Sequence, residues 1–159
     1  MRKRSKYKPK GVRLDVMGWL KDGFAPLTTH TDAVLSLRIK NHAALTSITR
    51  GQATRDDVDI LISAINMTEA LAMRGLGKDW RGEITAAQDA ILTMCRRGLE
   101  RGDKFIFTGT ELTAVNLAME VHDAQIDQAS VADLENALDK VQEEIRARRA
   151  KQITPKEYA

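Results

Sequence analysis

The 159 residues, 43% of them hydrophobic and 30% charged, carry a net charge of +3 and suffice for one domain that buries roughly 70% of its unfolded surface. The lone cysteine, Cys95, excludes an internal disulfide. Apolar runs fall well short of the roughly 20 residues of a membrane span, and the charged N-terminus lacks the apolar stretch of a signal peptide, so a soluble protein of a reducing cytoplasm is expected.

The charge is divided along the chain. Residues 1–13 hold seven cations and no acid, which leaves 18 bases against 22 acids, a net −4, in the other 146 residues. Residues 1–12, MRKRSKYKPKGV, are too polar and too like-charged to bury apolar surface, so a flexible basic arm is expected there. Its Arg2, Lys3, Arg4, Lys6, Lys8 and Lys10 can neutralise phosphates or dock on acidic protein, and Tyr7 among them can stack a base. Asp15 can then cap a short helix whose Val16, Met17, Trp19 and Leu20 anchor the arm, with Gly23 and Pro26 as its stop.

Residues 13–151 read as one helical domain, followed by a tail over 152–159. Thr31 or Asp32 caps a helix in which Val34, Leu37, Leu45 and Ile48 recur until Arg50 and Gly51 end it. Thr54 and Asp57 open the next, which runs through Met73 and is apolar around most of its circumference, as suits a central element. Three glycines in Arg74–Gly82 break helical propagation and place Trp80 on a connection beside Lys78 and Arg81. There the tryptophan reads either as a plug for the helix junction, the favoured reading, or as a contact residue joining Lys78 and Arg81.

A fourth helix over roughly 84–101 puts Cys95 on its packing face. The β-prone stretch Lys104–Thr108 is too short and isolated for a sheet, although a two-strand patch stays open. In the last third, Thr110 caps a helix with the seam Leu112, Val115, Met119, His122 and Ile126, and Ser130 caps one with Val131, Leu134, Leu138, Val141 and Ile145. A three-residue link predicts that these seams face one another in an antiparallel hairpin with acidic outer faces around Glu120, Asp123, Asp127, Glu135 and Asp139. The expected fold is all-α, a single-domain bundle of about five core helices with that C-terminal hairpin and the basic arm.

Catalytic signatures are sparse. The chain has no HExxH, paired CxxC, G-x-S-x-G, Walker loop or GxGxxG, so neither a metal site, a cofactor nor a catalytic residue is predicted. His122 interrupts an apolar seam, either as a hydrogen-bonded core histidine or as the polar residue of a ligand pocket. Blocked charge without catalytic chemistry points to a non-enzymatic interaction protein, with nucleic-acid binding through the arm and a small-ligand pocket as alternatives. The acidic helices could also receive the arm of a second copy, giving a homo-oligomer.

The opening KRSKYKPKGV and the stretch FTGTELTAVNLAMEVHDAQ resemble small accessory proteins encoded by tailed bacteriophages. The resemblance implies a protein of the bacterial host cytoplasm that binds and modulates or inhibits a host or defence macromolecule.

Overall fold

A computed structural model describes Pro26, residues 31–147 and Arg149. The arm residues Arg2 to Lys10, the anchoring segment around Trp19 and the tail over 152–159 lie outside the described residues. Five α-helices are present among those described, with no strand: α1 Thr31–Thr49, α2 Arg55–Met73, α3 Arg81–Glu100, α4 Gly109–Gln128 and α5 Val131–Arg146. The protein is an all-α helical bundle.

Three helices start on reciprocal caps. The side chains of Thr54, Thr108 and Ser130 each accept the backbone N–H three residues on, and the carboxylates of Asp57, Glu111 and Asp133 accept the cap's own N–H. This arrangement satisfies two donors that helix geometry leaves unpaired. The cap of α4 is Thr108 and not Thr110, because only Thr108 has an acid, Glu111, at the reciprocating position. Glu111 has a second role: Arg97 of α3 donates to its Oε1 and Oε2 over 2.8 and 2.6 Å, and to the Ile106 carbonyl over 2.8 Å. That bidentate guanidinium, assisted by Thr108, holds the Glu111 carboxyl below its ordinary range and ties the start of α4 to the end of α3.

Helix α2 is central, as its all-round apolarity predicts. It packs on the other four helices, and Leu61, Ile65 and Leu71 have no exposed surface. Val115, Ala118 and Met119 of α4 join Ile84, Ala87, Ile91 and Met94 of α3 in the main core. Cys95 is buried there as well, and loss of solvation raises its thiol to about 11, which leaves it without nucleophilic character. The Lys104–Thr108 stretch forms no strand; it seats Phe105, 3% exposed, against Gly98 of α3.

The predicted facing of the last two seams is corrected. The apolar side of α4 is taken up by α2 and α3, and α5 docks instead on α2, where Leu134, Ala137 and Val141 meet Met67, Ala70 and Leu71. Only one flank of the α5 stripe therefore finds a partner, and Leu138 and Ile145 remain 42% and 57% exposed. Pro26 reaches back to this junction in an isolated antiparallel bridge with Ser130.

Candidate functional site

His122 sits in the seam of α4 at 1% exposure. The hydroxyl of Thr68 donates to the Ala64 carbonyl over 2.9 Å, so it accepts from the histidine's Nδ1–H, 3.0 Å away. Asn41 Nδ2 then donates to the free Nε2 over 3.1 Å. Both ring nitrogens are occupied and the ring is neutral. Burial pushes its pKa down to about 4, against a smaller upward pull from Asp123 and with help from the neighbouring His42 and Arg38. A ring locked between two partners has no nitrogen to offer a ligand, which makes His122 a hydrogen-bonded core histidine.

Around it runs a polar layer joining three helices. Gln125, one turn beyond His122, donates its amide hydrogens to the carbonyls of Thr68, 3.0 Å away, and Leu76, 2.7 Å away. On the outside, His42 meets Asp123 over 2.8 Å, and Arg38 bonds the Asp123 carbonyl over 2.9 Å and pairs with Asp127. Part of the predicted acidic face is thus neutralised by α1, while Glu120, Glu135 and Asp139 stay exposed.

A wider concavity lies elsewhere. Between α2, α3 and α5 runs a half-open cleft of about 510 Å³ with Ile62, Ile65, Ala70, Ile91 and Val141 among its lining residues. Its volume is in the range of roughly 300–1,000 Å³ typical of ligand sites. Met73 and Ile145 also line it and are 56% and 57% exposed. On the polar side Gln88 bridges Asn66 and Glu69, donating over 3.3 and 2.7 Å. The cations Lys140 and Arg149 are both engaged by Glu144, at 3.1 and 2.7 Å, and Arg149 followed by Lys140 holds that carboxyl down at about 2. Among the described residues no cation pairs with Glu69 or Asp89, which together with the apolar lining gives the cleft a greasy wall with a negative edge.

Comparisons with protein-family models, curated proteins and solved structures return no match.

The structure brings together few of the residues singled out from sequence. Lys78, Trp80 and Arg81 are all exposed at the head of α3. The plug reading of Trp80 is corrected: the residue is 46% exposed, because the turn Lys78–Trp80 packs on the outside of α2 and α3, beside α4, and does not enter the core. His122 stands apart from this turn as a core residue. Asn41, Thr68 and Gln125, which complete its setting, are not among the sequence-derived candidates, yet each carries a signal as a polar residue at a core phase of an otherwise apolar helix face. Among the described residues no three His, Cys, Asp or Glu side chains are grouped as a metal site, and no helix is long and apolar enough to cross a membrane.

Proposed function

We propose that this chain is a non-enzymatic interaction protein that receives an amphipathic helix of a partner in the cleft between α2, α3 and α5. The observation that carries the reading is the pair of exposed side chains, Met73 and Ile145, beside a cleft with an apolar wall. Folding alone does not reward large apolar groups in that setting, whereas helix-in-groove recognition uses them as contacts for i, i+3 or i+4, and i+7 anchors. Methionine suits such a surface because its unbranched, polarisable side chain repacks around different shapes. Glu69 and Asp89 favour a partner helix with basic residues flanking its apolar face. The resemblance of the opening and of the α4 stretch to tailed-phage accessory proteins supports a bacterial host or defence component as that partner.

A photocrosslinking amino acid at Met73, in cells of a bacterial host, is expected to capture a discrete protein, and capture should fall about tenfold when Ile145→Glu places a charge beside the apolar cleft. The same amino acid at Asn116, on the exposed side of α4, should capture nothing comparable. Equal capture from both positions, or capture indifferent to Ile145→Glu, contradicts the proposal.

A further inference from the structure

The described residues begin at Pro26, which is bridged to Ser130, the cap of α5, in the antiparallel sense. The chain therefore enters Pro26 from the side on which α5 leaves Ser130. Farther along that helix Lys140, Val141, Glu144 and Ile145 line the cleft, and Leu138 stands exposed on the way. Helical rise puts Val141 about 17 Å and Ile145 about 23 Å from Ser130. Residues 21–25 span at most about 17 Å when extended, and two turns of helix add roughly 10 Å, so the cleft lies within reach of Leu14–Leu20.

The chemistry of those residues matches the cleft. Val16, Met17, Trp19 and Leu20 are large and apolar, and Val16 and Leu20 are spaced to share one side of a helix. Lys10, Arg13 and Lys21 flank them, and residues 1–21 hold eight cations against one acid, Asp15. The cleft offers the complement: Ile62, Ile65 and Val141 on its wall, Glu69 and Asp89 on its edge. Its own cations Lys140 and Arg149 are engaged by Glu144, which leaves that edge negative. Helix α5 of a second copy fits less well, because its exposed Glu135, Asp139 and Glu143 would bring like charge to Glu69 and Asp89.

We propose that in the free protein the cleft is held by this chain's own segment Leu14–Leu20, which a partner helix must displace. The proposal rests on the cleft being a receiver of amphipathic helices and adds the regulation of that site. A connection of this length gives an effective concentration on the order of 1 mM, so even an isolated affinity on the order of 100 μM fills roughly nine clefts in ten and weakens a partner about tenfold.

The test uses the full chain with Trp80→Phe, which leaves Trp19 as its single tryptophan, and with Met73→Cys carrying a nitroxide, a contact quencher of indole fluorescence. Cys95 is buried and escapes the label. Trp19 emission is expected to fall about fivefold on labelling, and by the same factor at low and high protein concentration, because the contact is made within one chain. A label at Asn116→Cys, on the exposed side of α4, should leave the emission unchanged. Leu20→Asp in the segment, or Ile145→Glu at the cleft, should each restore most of it; Ile145 is exposed, so the second change leaves the fold intact. In host cells Leu20→Asp should raise capture of a partner by the crosslinker at Met73 about tenfold. Equal quenching from Asn116, quenching that survives both substitutions, or partner capture indifferent to Leu20→Asp overturns the proposal. So does quenching that grows with concentration, the mark of a segment exchanged between copies. Absent quenching with partner capture intact sinks this inference alone, whereas quenching without any captured partner leaves the segment in place and sinks the partner reading.

Discussion

Replacing Gly98 by alanine is expected to lower the melting temperature by about 5–10 °C, the signature of roughly 2–3 kcal/mol of overpacking in a chain of this size. Helix propensity alone predicts the opposite sign, since alanine is favoured over glycine in a helix interior by about 1 kcal/mol. Contact decides. A Cβ on Gly98 would lie 2.3 Å from Phe105 Cδ1 and 2.7 Å from Cε1, distances at which something must move. The ring is 3% exposed and packed in the main core, so it can move only by leaving that core or by pushing α3 away. Phe105→Leu, which removes the offending ring edge, should rescue part of the loss in the double variant, because the two positions share one contact. Gly82→Ala supplies the control: it lies in α3 with nothing within 4 Å of the added carbon and should gain about 0.5 kcal/mol by restricting the unfolded chain. Thermal unfolding of the four variants separates the readings, and a neutral Gly98→Ala would mean that Phe105 does not seat where described.

Stability should fall by roughly 2–3 kcal/mol between pH 7.5 and pH 4.5, with His122 as the main source. Its folded pKa of about 4 lies below the ordinary 6.5, so over that interval the unfolded chain takes up a proton that the folded chain refuses. The contribution of the neutral ring is therefore complete above about pH 6.5 and is lost as the pH drops towards 4. The titratable groups facing the ring, Asp123, His42 and Arg38, perturb this less than burial does. Carboxylates held low by their partners, such as Glu111 and Asp133, add to the loss only at the bottom of this interval, where the unfolded chain's carboxyls begin to take up protons, so the histidine is isolated by comparison with a variant. Urea unfolding across the series measures the slope. His122→Gln, which retains a donor and an acceptor but cannot take up a proton, should lose much less over the same interval, with what loss remains confined to its acidic end. A flat profile for the unaltered chain, or an unchanged slope in His122→Gln, would remove His122 from its buried neutral setting.

What could be read from the sequence was local. Thr54 with Asp57 and Ser130 with Asp133 announce helix starts because both partners of each cap lie within three residues. The all-round apolarity of Val58–Leu71 announces a central helix because only enclosure satisfies it. The partner of α5 was not legible. A heptad stripe states that one face needs covering and leaves open what covers it, and here α2 had a free flank at Met67 and Leu71 while α4 had none. The cleft follows from that same choice, since Met73 and Ile145 are 72 residues apart and meet only if α5 lies on α2. Trp80 was misplaced for a related reason. Its exposure depends on Gly77 letting the turn rest on Gln125 and Val121, a contact across more than 40 residues that no local pattern encodes.

The reading of this protein as a helix-receiving partner stands on α5 being docked across α2 with its far end beside α3. A nitroxide attached at Ile145→Cys reports this directly, and Cys95, whose thiol is buried and held protonated, is spared by the label. The expected result is strong broadening of the backbone amide signals of Asn66, Met73, Gln88 and Asp89, all lining the cleft with position 145, and little effect at Thr113 and Asn116. Broadening centred on Thr113 and Asn116, which an antiparallel pairing of α5 with α4 would bring opposite that end, would contradict the architecture and remove the cleft with it.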